Sequence, residues 1–288
     1  MPRCGHSCAM APRVAVVGHV EWITFARVDQ IPAVGGIAHA GETWSGVGGG
    51  GGVAAQQLAK LAAKCTFFTA LGDDDVDRTA AEELRAAGVE VHAASRDAPT
   101  REAVCLVDGD GERTITTLGP RLEAHGSERL PWDRLGSMDA VYITAGDEEA
   151  IRRARAARVM VVSTRHLEVL ARSGVLVDAV IGSDRDPAER YDPDLLAHAP
   201  PPLVVLTQGS DGGRYETDDG RVGRWPPAPV PGPVSDTYGS GDSFQAGLTF
   251  ALGTRYPLEE ALELAARCGA AALTGRGPAG GQLTAADL

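Results

Sequence analysis

Lysine is almost absent: Lys60 and Lys64 are the only two in 288 residues, and arginine carries the rest of the positive charge. No Gly-Lys-Ser/Thr occurs, so there is no P-loop. The exchange of lysine for arginine reads as a genome-wide bias. Positive charge is also scarce overall, with 27 basic against 39 acidic side chains, a net charge of −12 and a pI near 5.0. Such a surface repels nucleic acid and anionic membrane, which excludes both as partners. No run of about 18 apolar residues exists, so no membrane span is expected. The first ten residues lack the apolar segment of a signal peptide. A cytoplasmic, reducing location follows. Five cysteines are scattered. Cys65, Cys105 and Cys268 lie in apolar stretches and read as buried free thiols. Cys4, His6 and Cys8 cluster near the start, but three ligands on a tail make a poor metal site. The other histidines show no metal spacing.

Apolar residues make up 43% of the chain, enough for a large core. Val14–Val17 reads as a buried strand. Residues 31–47 are Gly-rich with short alternating pieces, as in a small β flap. Gly48–Gly52 open a helix, followed by a strand at Thr66–Ala70 and a helix over Val76–Ala87, whose start is marked by Asp73-Asp74-Asp75. Val89–Ala93 is a strand. Ala103–Val107 and Arg113–Thr117 flank Asp108-Gly109-Asp110-Gly111, a hairpin signal. Strands at Ala140–Thr144, Val159–Val162, Ala179–Ile181 and Leu203–Thr207 then alternate with helices, which argues a mostly parallel sheet covered on both faces. A hairpin at Gly213–Trp225, a stiff loop at Pro226–Pro233 and helices at Ser240–Leu252 and Leu258–Leu273 complete the chain. The expectation is an α/β domain over 13–288 with a β lid from about 19–47 and 101–118. Residues 1–12 are expected to form a disordered tail, with Met10 a candidate start.

Residues 236–242 read Asp-Thr-Tyr-Gly-Ser-Gly-Asp. Gly239-Ser240-Gly241 forms a small-residue turn opening a helix, whose free N–H groups and dipole make an anion site. Asp242, in the first turn, stands where a carboxylate could take a proton from a hydroxyl attacking phosphorus held by those N–H groups. In isolation, such an aspartate is more often only a helix-start acid.

This stretch resembles the second signature of the ribokinase-like (PfkB) carbohydrate kinases, Asp-Thr-x-Gly-Ala-Gly-Asp, with Ser240 replacing the usual Ala. The glycine run 48–52 is similar to the family's first signature. Thr207-Gln208-Gly209-Ser210-Asp211-Gly212 looks like its strand-end nucleotide motif. The resemblance implies a three-layer ribokinase-like fold with a mostly parallel central sheet and a small β-sheet lid. It implies Asp242 as general base, and Gly239, Ser240 and Gly241 as the anion hole. Gly48 and Gly49 would meet the acceptor, and Thr207, Gly209 and Ser183 would line the nucleotide site. The family's Asn-x-x-Glu appears as Ser183-Asp184-Arg185-Asp186, so Asp186 would hold Mg²⁺ through water. Asp236 would be structural or shape a monovalent-cation (K⁺) loop. ATP is the implied phosphoryl donor. A homodimer through the lid is also implied, since a flap this small cannot bury both faces alone.

The acceptor half departs from the pattern. Val53 stands for the family's Asn, Gly50 for a frequent Lys, and Ile23 for the Asp that grips sugar hydroxyls, with Glu21 as its substitute. His19 and Trp22 flank Glu21 and could line the acceptor pocket. The expected activity is therefore phosphorylation of a hydroxyl on a small sugar or sugar-like acceptor. A nucleoside kinase on the same fold is the alternative, and a non-catalytic binding protein a lesser one. Gly46–Gly51 formally satisfies Gly-x-Gly-x-x-Gly, but a poly-Gly tract does so automatically and a flap separates it from the first strand.

Overall fold

The computed structural model describes residues 11–288; Met10 and the Cys4–His6–Cys8 group lie outside them. A nine-stranded sheet forms the centre. It contains β1 (Val14–Val17), β4 (Cys65–Leu71), β5 (Val89–Ser95), β8 (Ala140–Ile143), β9 (Val159–Ser163), β10 (Ala179–Ser183) and β11 (Leu203–Thr207), all paired in parallel. The hairpin of β12 (Gly213–Thr217) and β13 (Val222–Trp225) extends one edge by antiparallel pairing. The order is β13-β12-β11-β10-β9-β8-β1-β4-β5.

Side-chain alternation along these strands splits the interior into two cores. Val14, Val16, Phe67, Tyr142, Val161 and Val205 face α1 (Gly49–Ala62), α2 (Asp75–Ala86), α5 (Ser240–Gly253) and α6 (Leu258–Ala272). Ala15, Val17, Phe68, Val141, Ile143, Met160 and Val162 face α3 (Glu148–Ala154), α4 (Leu167–Ser173) and the 3₁₀ turn Trp132–Ser137. The expected three layers are present. Cys65, Cys105 and Cys268 are buried free thiols, as their apolar contexts indicated.

Four strands form the lid, in the order β3-β2-β6-β7. They are β2 (Glu21–Arg27), β3 (Glu42–Gly48), β6 (Glu102–Val107) and β7 (Arg113–Leu118). Its inner face carries Ile23, Phe25, Ala103, Cys105 and Val107, which pack against Val53 of α1 and Tyr238. Ile23 is thus lid core, and no hydroxyl-binding group takes its place at that position.

Two expectations about elements fail. Within the flap, residues 28–41 form no strand; Pro32, Gly35 and Gly36 interrupt any pairing, and Val34 and Ile37 are exposed. Between β10 and β11 there is no α-helix, only 3₁₀ turns at Pro187–Glu189 and Pro193–Leu196. Each begins with an aspartate capping a proline-led turn, Asp186 and Asp192. The run Pro200-Pro201-Pro202 follows at once, and it leaves no room for further helical turns before β11.

Candidate active site

Strand order diverges between β1 and β8. From β8 the chain runs outward through β9, β10 and β11; from β1 it runs the other way through β4 and β5. In open parallel sheets the crevice at such a switch point, outside the carboxyl ends of the strands, is the natural ligand site. Here β1 delivers Gly18 and His19, and β8 delivers Thr144. The mouth of α1 packs directly on them. A Cβ at Gly18 would stand 2.7 Å from both Gly51 Cα and Thr144 Cγ2, and one at Gly51 would stand 2.6 Å from the His19 carbonyl oxygen. Glycine here is required by backbone approaching backbone.

The start of α5 faces the same point. Gly239 has φ +75°, a left-handed geometry that favours glycine, and it caps the helix without a side-chain bond. The amides of the first turn are left to the helix end. Apart from its own turn of helix, nothing lies within 4 Å of the Cβ position at Gly241. Asp242, half-buried in that turn, is the carboxylate of the cleft, and a Cβ at Gly50 would lie 3.0 Å from its Oδ1 and 3.0 Å from Thr144 Oγ1. Burial pushes its pKa up to about 6, with Glu189 and Glu21 adding to the rise while Arg165 and Arg113 oppose it. A carboxylate tuned toward neutral pH beside an amide-lined helix start suits proton removal from a hydroxyl.

Glu21, expected to meet the acceptor, pairs in register with Gly48. Glu21 is buried. Its Oε1 lies 3.4 Å from Arg101 and 3.7 Å from His19 Nε2. Burial raises the Glu21 pKa, and Arg101, Arg121 and Arg165 pull it the other way. The Gly49 amide donates to the Tyr238 hydroxyl at 2.9 Å, so this backbone group is already engaged.

The sequence matches the pfkB family of carbohydrate kinases over residues 11–285. The chain belongs to that family. It is 30% identical to the ATP-dependent ribose-1-phosphate kinase of Halopiger xanaduensis, over 90% of each chain. Among solved structures, it superposes on ribokinase from Thermotoga maritima with a TM-score of 0.76 and 19% identity, covering 96% of this chain and 97% of that one. Adenosine kinase from Sinorhizobium meliloti gives a TM-score of 0.76 at 23% identity, covering 96% and 98%.

On the far side of the kinase cleft, Ser183 and Thr207 are register partners at the ends of β10 and β11. Gly209, at φ +61°, follows under the Arg185 side chain. The three expected nucleotide residues therefore stand together. Ser183 Oγ accepts from the Arg185 amide at 3.2 Å. Asp184 is engaged by Arg214 and Gln208. Asp186 is ion-paired to Arg165, which also holds Glu189 at 2.7 Å. No group of three or more His, Cys, Asp or Glu side chains forms a metal cage among the described residues. Two carboxylates of this kind suit a hard cation held mainly by phosphates and water.

Asp236 is buried and accepts the Tyr238 and Gly277 amides, each at 2.9 Å. Both of its oxygens are thus spent on backbone. The sequence reading missed Arg165, Glu189 and Tyr238. Arg165 follows the carboxyl end of β9, and a charged residue there was the available signal. Tyr238 occupies the variable position of the late motif and gave none.

Proposed function

We propose that this kinase transfers the γ-phosphoryl group of ATP to a hydroxyl of a small sugar or sugar-like acceptor, with Asp242 as general base. The observation that carries the proposal is the half-buried Asp242, raised to about 6, at the amide-rich start of α5. The acceptor oxygen attacks the γ-phosphorus as its proton passes to Asp242. The amides of Gly239, Ser240 and Gly241 face the developing negative charge.

Mg²⁺ would neutralise the phosphates as the bond breaks. Asp186 and Glu189 would hold it through water, while Arg165 fixes both carboxylates. A K⁺ ion would have to be taken by backbone carbonyls of the segments that Asp236 ties together. Thr207, Gly209 and Ser183 would line the nucleotide, with Glu21, Gly48 and Gly49 at the acceptor end.

A homodimer through the lid fits the exposure of β7 along its whole length, including Ile115 and Leu118 on an unpaired edge. Three buried free thiols support a reducing, cytoplasmic setting. Acceptor-dependent ADP release, measured with Mg²⁺ across sugars, sugar phosphates and nucleosides, tests the activity. No release with any of them would sink it. Light scattering that returns the mass of one 29.9 kDa chain at micromolar concentration would rule out the dimer.

A further inference from the structure

The resemblance to the pfkB kinases implies a monovalent-cation loop at Asp236, and the groups around Asp236 do not fit that role. From the contacts that Lys60 and Arg27 make with the two segments joined by Asp236, we infer that this kinase works without K⁺, because these two side chains stand in for the ion. This rests on the kinase reading of the same site.

A K⁺ ion is held by oxygens that replace its water shell, chiefly backbone carbonyls. Asp236 joins two segments that could supply them, residues 235–238 of the late motif and the loop 273–281 after α6. Its own oxygens are taken by the Tyr238 and Gly277 amides, each at 2.9 Å. In the first segment, Arg27 Nη2 donates to the Ser235 carbonyl at 3.1 Å, and Ser240 Oγ donates to the Thr237 carbonyl at 3.2 Å. In the second, the last carbonyls of α6 form the negative end of its dipole, where a cation is favoured. They are engaged instead by the protein. The Ala271 carbonyl accepts the Thr274 amide at 3.0 Å and the Thr274 hydroxyl at 2.8 Å. The Ala272 carbonyl accepts the Gly275 amide at 3.4 Å, and the Leu273 carbonyl accepts the Ser235 amide at 2.8 Å. Lys60 Nζ donates to the Ala279 carbonyl.

The loop is also folded tightly on itself. A Cβ at Gly275 would stand 1.8 Å from the Gly281 nitrogen, and one at Gly281 would stand 2.3 Å from the Ala271 carbonyl oxygen. Backbone packs on backbone where an ion would need a shell of free oxygens.

Lys60 is one of only two lysines in a chain that uses arginine for the rest of its positive charge. A lysine in the last turn of a helix ordinarily stays in water beside the helix dipole. This one, in the last turn of α1, is partly buried and bonded to a distant segment. Its ammonium is a compact point charge, whereas guanidinium is a planar fork, which suits lysine to a loop of glycines this tight. Arg27 reaches in from β2 and keeps only a 3.7 Å pairing with Glu42, so its charge is little offset. Two fixed positive charges on these segments repel a further cation. The place bears on catalysis, because the Pro278 carbonyl oxygen lies 3.4 Å from the Cβ position of Gly239. The loop thus backs the turn whose amides open α5. Lys60 and Arg27 hold that support in place permanently.

The test exchanges tetramethylammonium chloride for KCl or NH₄Cl at constant ionic strength, using the full chain. Thermal melts and calorimetry of MgATP binding are the first readouts, and ADP release with any acceptor found in the metabolite screen is the third. At about 100 mM K⁺ the parent should change by less than about 2 °C in Tm and less than about threefold in MgATP affinity and kcat. A larger, K⁺-selective rise in any of these overturns the inference and leaves the kinase reading standing. Lys60→Met frees the Ala279 carbonyl and removes one charge. It should melt below the parent and gain a response to K⁺ or NH₄⁺ of about 2 °C or more. Arg27→Met, at a partly exposed lid position, gives a second variant should the first not fold, and the same gain is expected of it. Folded variants as indifferent to K⁺ and NH₄⁺ as the parent would overturn the assignment of these side chains. The melts need no turnover, so absence of ADP release with every acceptor would sink the kinase reading while the melts still decide this one.

Discussion

The Tyr238 hydroxyl accepts the Gly49 amide at 2.9 Å, joining the loop before α5 to the mouth of α1. Both partners are buried. The bond leaves the phenolic proton free to donate, and burial holds that proton firmly by raising the Tyr238 pKa, with Asp242 and Glu21 adding to the rise. Tyr238→Phe strands a buried N–H, which should cost about 1–3 kcal/mol. Urea denaturation should show that loss, and acceptor KM should rise more than ATP KM. Unchanged stability would mean that water or a shifted backbone satisfies Gly49.

Asp236 plays a different part from Asp242, although both are acids of one seven-residue motif. It grips the amides of Tyr238 and Gly277 and faces no open cleft. Asp236→Asn replaces one acceptor oxygen by a donor against an N–H group. The variant should lose about 1–3 kcal/mol of stability, as a buried bond is broken. At a temperature where it remains folded, its kcat should stay within a few-fold of the parent. A collapse of kcat without loss of stability would assign Asp236 to the chemistry.

The sheet, the lid and the late motif were legible because each carries a local signal. Val14–Val17 is a continuous apolar run, Asp108–Gly111 is turn chemistry, and Gly239–Gly241 opens a helix. The surroundings of Glu21, proposed as the acceptor end, were not, because they are assembled from residues far apart in sequence. Arg101 meets Glu21 only because β6 pairs with β2. Glu189 reaches the cleft on a 3₁₀ turn where alternation suggested a helix. Glu21 itself was found by asking what could replace the apolar Ile23, and Ile23 proved to be lid core.

Gly50 and Gly51 are neighbours with different reasons for lacking a side chain. At Gly50 a Cβ would press on the Asp242 carboxylate and the Thr144 hydroxyl at 3.0 Å; at Gly51 it would collide with backbone at His19 and Gly18. Neither has the left-handed φ seen at Gly49. Gly50→Ala should therefore fold, with Tm lowered by less than about 4 °C, and lose about tenfold or more in kcat as the base is displaced. Gly51→Ala should instead lower Tm markedly, since backbone cannot move aside as a side chain can. Kinetics and thermal melts on the pair check this, and equal behaviour of the two would refute the distinction.

Asp242 couples activity and stability with opposite signs in pH. Its folded-state pKa is about 6, above its ordinary 3.8. As the proposed base it must be ionised, so kcat/KM should fall about tenfold per unit as pH drops below 6. Between 3.8 and 6 the native state keeps a proton that the unfolded chain has released. The contribution of this group to stability therefore decreases as pH rises through that window, and Asp242 destabilises the fold at pH 7. Asp242→Asn removes both effects. Its kcat should fall roughly 10²–10⁴-fold with ATP affinity within a few-fold, because the amide keeps the shape of the helix start. Its Tm at pH 7 to 8 should exceed that of the parent, and the difference should shrink toward zero as pH approaches 4. Measuring the difference between the two proteins cancels the titration of the other carboxylates. A variant that keeps more than about a tenth of its activity would send the search for a base to Glu189. A Tm difference that did not depend on pH would show that Asp242 ionises in the folded protein as it does in water.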